Sequence, residues 1–141
     1  GFLTVRTKDY LKNQYSVHMY HLKEKEFPNE PNLLFLCGKT DEHTADTFDR
    51  LGCNILSMCS DCSLIVMDEL GPHEADATLF RKKILNLLDG QTPILGVLQE
   101  PAESFWPEIV NHPKVEIITI SEDNRNDRAL LNYIQCKISS P

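Results

Sequence analysis

The sequence predicts an α/β domain in which a three-layer, mainly parallel sheet carries helices on both faces and begins with a β-hairpin. Three observations predict this class. Short apolar runs without polar alternation recur along the chain, as expected of strands that are buried on both faces. Helical patterns lie between these runs at short spacing, which implies right-handed crossovers. Near the N-terminus, an alternating segment follows a polar turn. A length of 141 residues suits one domain, so we treat 1–141 as a single unit.

The N-terminal third is predicted to be β structure. Phe2 to Arg6 is a short extended run, and Tyr15 to Met19 alternates between apolar and polar residues. Lys12-Asn13-Gln14 is polar enough to form the hairpin turn between them. After a proline-containing loop, Leu33 to Cys37 is an apolar strand candidate.

Helices and strands alternate in the rest of the chain. A helix from His43 to Leu51 is predicted to stop at Gly52, because glycine is favoured just past a helix C-terminus. A second short helix near Asn54 to Ser60 would then lead into the next strand. The remaining predicted elements are a strand at Ser63 to Met67, a helix at Glu74 to Leu88, a strand at Pro93 to Leu98, a helix at Glu103 to Val110, a strand at Val115 to Ile120 and a helix at Asp127 to Lys137.

Charge and hydropathy exclude several classes of function. The formal net charge is −7 and no basic stripe gathers the cations, which argues against binding to a nucleic-acid backbone. The apolar runs are far shorter than the roughly 20 residues of a membrane-spanning helix. No secretory signal is visible. We therefore expect a cytoplasmic protein with neither a nucleic acid nor a membrane as its partner.

The five cysteines agree with a reducing compartment, because their number is odd and their spacing irregular. Cys59-x-x-Cys62 is the one spacing typical of zinc or redox chemistry. A structural zinc site needs four ligands, and no second pair follows. We expect Cys59 and Cys62 to form no disulfide, to bind no metal and to pack as small apolar side chains.

An acidic pair marks the candidate site. Asp68-Glu69 follows the apolar run Leu64-Ile65-Val66-Met67, and ligands in such sheets lie beyond the carboxyl ends of the strands. Hydrolysis of a nucleoside triphosphate needs one carboxylate near Mg²⁺ and a group that orients the attacking water. We assign the metal role to Asp68 and the catalytic role to Glu69. The alternative is a pair of solvated acids at the start of a loop.

Four segments, in this order, resemble the nucleotide-kinase-related nucleoside triphosphatase family of P-loop enzymes. The resemblance runs from Gly1-Phe2 to the C-terminus. The segments are the Gly-Phe-x-Thr at Gly1 to Thr4, the Walker-B-like run Leu64 to Gly71 with Glu74 beyond it, the strand Pro93 to Leu98, and the strand Val115 to Ile120 followed by Asn124-Arg125. The resemblance implies a P-loop-type fold, a nucleoside triphosphate substrate and Mg²⁺ as cofactor.

Two departures from the family determine the function that we expect of this chain. The family's N-terminal strand, its G-x-x-x-x-G-K-S/T loop and the helix after it are missing, and Gln99-Glu100 stands where the family has a basic pair. Gly38-Lys39-Thr40 does not replace the loop, because Leu33 occupies the position of its first glycine. We expect the chain to be inactive as it stands. The alternative is a non-catalytic relative that serves as a binding module, with self-association through an unfilled sheet edge.

Overall fold

A five-stranded mixed sheet forms the centre of the computed structural model, which describes residues 1–24, 27–39 and 43–139. Its strands are β1 (Phe2–Leu11), β2 (Gln14–His21), β3 (Leu33–Leu36), β4 (Ile65–Leu70) and β5 (Ile94–Leu98). Their order in the sheet is β3-β2-β1-β4-β5. The pairs β1–β2 and β2–β3 are antiparallel, whereas β1–β4 and β4–β5 are parallel.

The helices of the described residues come mostly from the second half of the chain. A short 3₁₀ helix (Glu30–Asn32) precedes β3, and the α-helices are α1 (Thr44–Ser57), α2 (Thr78–Leu88), α3 (Ala102–Phe105), α4 (Pro107–Val110) and α5 (Arg128–Ser139). None of these helices combines the length and the apolar composition that a bilayer crossing requires.

The expected hairpin is present, but the sheet is mixed rather than mainly parallel. Strand β1 continues from Phe2 to Leu11, well past the predicted end at Arg6, because β2 pairs with it from Phe2 to Thr7. Strand β3 then adds a second antiparallel pair on the outer side of β2. Two of the four strand pairs are therefore antiparallel.

Helix α1 is continuous where the sequence predicts two helices. It runs through Gly52, which is buried rather than placed at a helix end. A Cβ on Gly52 would lie 2.4 Å from the ring atoms Cδ2 and Cε2 of Phe80 in α2. The predicted stop at Gly52 is therefore wrong, because this glycine serves the close approach of two helices.

The C-terminal part departs furthest from the expectation. Residues 115–120 form no strand, and the side chains of Ile117 and Ile120 are about half exposed. A strand needs a neighbour for its ladder, and in the described residues β5 pairs only with β4.

The predicted single helix near 103–110 is two short helices, since Pro107 starts a new one. Helix α5 contains no buried residue.

The core lies between the sheet and the helices α1 and α2. The ring of Phe80 is 5.7 Å from that of Phe2 in β1 and 6.0 Å from that of Phe48 in α1, measured between centroids. All three side chains are at most 3% exposed. Such aromatic contacts join the hairpin strand β1 to both helices of the chain's middle segment.

We predict that Gly52→Ala destabilises the protein by about 1–3 kcal/mol, because the added methyl group overpacks the contact with Phe80. Urea unfolding followed by circular dichroism measures this difference. The control is Asn54→Ala at an exposed position of the same helix, which we expect to change stability little. An increase in stability for Gly52→Ala, the usual result in an open helix, would contradict the close contact.

Candidate functional site

Asp68 and Glu69 lie within β4, at a break in its pairing with β5. Met67 pairs with Gly96 and Leu70 with Leu98, so Asp68 and Glu69 together oppose the single residue Val97. Two residues opposite one is the pattern of a β-bulge, a feature that re-aims side chains beside functional sites. The strand continues to Leu70, and the expectation that Asp68 ends it is wrong because the ladder resumes after the bulge.

Thr4 holds the Asp68 carboxylate. Both the backbone N–H and the hydroxyl of Thr4 donate hydrogen bonds to Oδ2 of Asp68, each at 2.9 Å. Phe2 and Met67 are parallel partners in the ladder between β1 and β4, and this pairing brings Thr4 beside the bulge. The other carboxylate oxygen, Oδ1, accepts no hydrogen bond from the described residues.

Glu69 and Glu74 are a second pair of acids, one exposed and one buried. Glu69 is exposed, whereas Glu74 is only 4% exposed and its Oε1 accepts a hydrogen bond of 2.5 Å from the N–H of Gly71. Burial raises the pKa of Glu74, and the nearby negative charge of Glu69 raises it further, while the Gly71 hydrogen bond acts in the opposite direction. The site thus contains a buried acid that the sequence motif did not predict.

The turn after β4 is fixed on three sides. Besides the bond to Glu74, the carbonyl of Gly71 accepts a hydrogen bond of 3.0 Å from the indole Nε1 of Trp106. The side-chain Oε1 of Gln99 would lie 2.4 Å from a Cβ on Gly71. Gly71 has no positive φ, so it is required by the close approach of Gln99 rather than by an unusual backbone conformation.

The buried position of Trp106 shows whether its ring packs inside the protein or is open to stack on a nucleotide base. It is 1% exposed, its ring lies 4.6 Å from the guanidinium carbon of Arg81, and its N–H is taken by Gly71. Arg81 also donates to the carbonyl oxygens of Ala75 and Phe105. Trp106 is therefore a packing residue and is not open for stacking on a nucleotide base.

The donor set of the acidic end fits Mg²⁺ only as part of a shared site. Oxygen donors are the ligands that Mg²⁺ prefers, and Oδ1 of Asp68 is open while Oδ2 is held by Thr4. Within the described residues, no group of three or more His, Cys, Asp or Glu side chains is arranged to hold a metal ion. Waters and substrate phosphate oxygens would have to complete the shell, which is how Mg²⁺ is usually bound.

Cys59 and the Gly38-Lys39 segment have structural roles. No disulfide bond joins any of the five cysteines, all of which lie in the described residues, and Cys59 is 1% exposed within the core, which is the packing role that the sequence predicts. Gly38 has a φ of +80° in a turn after β3, and Lys39 bridges back to Leu36. This geometry is a turn that glycine favours. Thr40 lies outside the described residues.

The sequence did not identify Thr4 or Glu74 as partners of the acidic pair. Thr4 was part of the Gly-Phe-x-Thr resemblance, but its bond to Asp68 depends on the parallel register of β1 and β4, which no local pattern encodes. Glu74 stands five residues after Glu69 in a loop, where most acids are solvated. Its burial depends on the folded turn at Gly71, where Trp106 and Gln99 approach from distant parts of the chain.

The fold is an α/β sheet with acids near the carboxyl end of a parallel strand, the place where α/β proteins of this class bind their ligands. Comparison with known families agrees with this class. Residues 36–134, more than half of the chain, match the model of a family described as NTPase. The chain belongs to this NTPase family. Thr4 and the whole of the hairpin β1–β2 lie before the matched region.

Individual proteins that are similar to the chain carry the name nucleoside-triphosphatase. The chain is similar to the nucleoside-triphosphatase THEP1 of Methanosarcina barkeri, at 27% identity over 57% of the chain and 46% of the relative. The protein of the same name from Methanosarcina acetivorans is 30% identical over 58% and 46%, and that from Thermotoga maritima is 31% identical over 50% and 40%. The chain spans about half the length of these relatives. No solved structure matches it significantly.

We predict that Glu74→Gln removes a pH dependence of stability. Because the pKa of Glu74 is raised in the folded state, its stabilising contribution is full below the unfolded pKa, near 4.5, and is lost as the pH rises through the folded pKa. Glutamine keeps an acceptor for Gly71 and does not ionise. The wild type should therefore lose stability relative to Glu74→Gln as the pH is raised.

Urea unfolding at pH 4 and pH 7.5 measures this trend. Glu103→Gln, at an exposed position of α3, controls for the loss of one carboxylate. Curves for Glu74→Gln that stay parallel to those of the wild type across this range would show that burial of Glu74 has no energetic consequence.

Proposed function

We propose that the chain is the acidic half of a nucleoside triphosphatase site, in which Asp68 binds Mg²⁺ through water and Glu69 orients the attacking water. The observation that carries this proposal is the β-bulge, which sets both acids at one point of a parallel strand in a member of the NTPase family. The names of the relatives support the same activity.

Asp68 is suited to a fixed electrostatic role. Two hydrogen bonds from Thr4 to Oδ2 stabilise the charged form and hold the orientation of the carboxylate. Oδ1 is then the oxygen that faces a hydrated cation. When Mg²⁺ is bound together with the phosphates, it neutralises the negative charge that develops on the transferring group.

Glu69 is suited to act on water. It is exposed, and no hydrogen bond within the described residues occupies its carboxylate. A carboxylate at this position can accept a hydrogen bond from a water and align it with the terminal phosphorus. Glu74, buried behind Gly71, contributes to the position of the loop rather than to this step.

Activity requires a phosphate-binding loop that this sequence does not contain. Backbone N–H groups of a G-x-x-x-x-G-K-S/T loop and its lysine hold the β- and γ-phosphates in such enzymes. We propose that the 141 residues alone are inactive for this reason. A strand that carried the loop would have an open partner in the outer edge of β5, and its addition would make the sheet mainly parallel with helices on both faces. The same edge is where two copies would associate if it stayed unfilled.

A second candidate is a non-catalytic binding module with the same fold. Gln99-Glu100 favours it, because a basic pair at this place would help to neutralise transferring phosphate. Gln99 is instead packed against Gly71, in a structural position. For either candidate, five cysteines without a disulfide bond suit a reducing compartment, and we propose a cytoplasmic location.

We predict weak nucleotide binding by the chain alone, with a dissociation constant on the order of millimolar or higher for Mg-ATP and no hydrolysis above background. Two proteins decide the proposal: these 141 residues and the polypeptide translated from the whole reading frame. Calorimetric titration and a phosphate-release assay are applied to both. If the longer protein supplies the loop, it should bind and hydrolyse Mg-ATP.

In that longer protein, Glu69→Gln should slow hydrolysis by roughly a hundredfold while leaving binding intact. Glu103→Gln is the matched control at an exposed site. Hydrolysis that survives Glu69→Gln would remove the catalytic role of Glu69. A longer protein that has the loop but no turnover would favour the non-catalytic module.

A further inference from the structure

The hairpin β1–β2 extends past the carboxyl end of β4 and carries two cations on the face that includes Thr4. Phe2 pairs with Met67, so Arg6 comes level with Gly71, just beyond Leu70. Thr4, Arg6 and Lys8 share one face of β1, because alternate side chains of a strand point the same way. Each step of two residues adds roughly 7 Å along the strand. The two cations therefore lie on a line that starts at Asp68.

Tyr15 holds both cations in place. The guanidinium carbon of Arg6 is 4.2 Å from the Tyr15 ring centroid, and Nζ of Lys8 is 4.5 Å from it. The register of the hairpin agrees with this contact, since Arg6 pairs with Val17 and Tyr15 lies two residues from Val17 on the same face of β2. Cation–π contacts of this kind order two long side chains before any ligand arrives.

Neither cation forms an ion pair with a carboxylate of the described residues. Three basic side chains elsewhere in the chain are engaged: Arg81 with Glu108, Lys137 with Glu116, and Lys114 with two backbone carbonyls. Arg6 and Lys8 are exposed and keep their charge available to an anion. In a chain with a net charge of −7, this makes the hairpin face a distinct positive surface beside two acids.

We propose that Arg6 and Lys8, ordered on Tyr15, bind the phosphate chain of a Mg²⁺-complexed nucleoside polyphosphate beside Asp68. This inference rests on the proposed function, which supplies the metal role of Asp68. A polyphosphate with Mg²⁺ satisfies both kinds of charge in the line, since the metal lies toward Asp68 and the phosphate oxygens lie toward the cations. A simple carboxylate ligand would be repelled by Asp68 and Glu69 and would bring no metal ion.

The ring of Tyr15 is covered by the two cations, so it is not a platform for the base. Recognition at this surface therefore depends on phosphate and not on the nucleobase. Inorganic triphosphate with Mg²⁺ is the appropriate probe, and ATP serves for comparison. We expect the two to bind with similar millimolar affinity, and added salt to weaken both because the cations are exposed.

The test is a titration of the ¹⁵N-labelled chain with Mg-triphosphate, followed by amide chemical shifts. Shifts should concentrate at Thr4, Arg6, Lys8 and Tyr15. Arg6→Ala and Lys8→Ala should each weaken binding roughly two- to fivefold, the size expected for exposed charge pairs, and the double variant more than either. The control Lys12→Ala removes an exposed lysine in the hairpin turn and should change the affinity less than twofold.

Two further variants separate this surface from general charge and from folding. Tyr15→Leu keeps both cations but removes the ring that orders them, so binding should weaken by about twofold while the amide spectrum outside the hairpin is unchanged. Arg6→Lys should retain more affinity than Arg6→Ala. The absence of shifts at the hairpin in the wild type, or an equal loss for Lys12→Ala and Arg6→Ala, would overturn the proposal.

Failure of this inference differs from failure of the proposed function. If Arg6→Ala and Lys8→Ala bind as the wild type does, while the longer protein hydrolyses Mg-ATP through Glu69, the hairpin surface is refuted and the function stands. If the hairpin binds triphosphate but the longer protein with its loop does not hydrolyse ATP, the surface stands without the catalytic role. Asp68→Asn should reduce the Mg²⁺ dependence of triphosphate binding and leave the metal-free component.

Discussion

The site and the sheet depend on one junction, where the antiparallel hairpin meets the parallel pair β4–β5. Backbone pairing between β1 and β4 is short and is anchored at Phe2 and Met67. The two hydrogen bonds from Thr4 to Asp68 extend this junction with side-chain contacts. Charge-assisted bonds of this kind are stronger than neutral ones, and a partly buried position protects them from water. The contact that orients the candidate metal ligand therefore also attaches one half of the sheet to the other.

A second set of contacts fixes the loop on the far side of the bulge. Glu74 and Trp106 use both polar groups of the Gly71 peptide unit, and Arg81 stacks on Trp106 while binding Glu108 in α4. These contacts connect the short helices α3 and α4 to the end of β4. Since Asp68 and Glu69 stand between the Thr4 contact and this loop, both are presented by backbone that is held on two sides.

The sequence predicted those parts of the fold in which local pattern and tertiary contact agree. The hairpin turn, the strand at Ile94–Leu98 and the helix ending at Leu88 follow from alternation, apolar runs and glycine signals. The expected helix end at Gly52 was wrong because this glycine serves a tertiary contact between two helices. The sequence alone does not distinguish a glycine that ends a helix from a glycine that makes room for the Phe80 ring. Likewise, the run at 115–120 has strand composition but lacks a neighbour within the described residues.

Prediction of the site was limited in the same way. The acidic pair was chosen as the candidate site because chemistry constrains its residue types and its place after an apolar run, and its role stays a prediction. The β-bulge was not found, because it depends on the comparison of β4 with β5: two residues of one strand face one residue of the other. Thr4 lies 64 residues from Asp68, so no local window contains this pair. Glu74 is only three residues from Gly71, but its burial depends on the tertiary fold and not on that local spacing.

The three acids at the end of β4 lie in different environments. Two neighbouring carboxylates in a chain of net charge −7 repel each other and would favour a loosened strand end. Here Asp68 is compensated by donors from Thr4, Glu69 is left in water where repulsion is screened, and Glu74 is buried with a raised pKa that lowers its cost of burial. The three acids are thus separated by environment as well as by position. The negative charge of Glu69 still raises the pKa of Glu74, so the exposed acid and the buried acid remain electrostatically coupled although they lie in different environments.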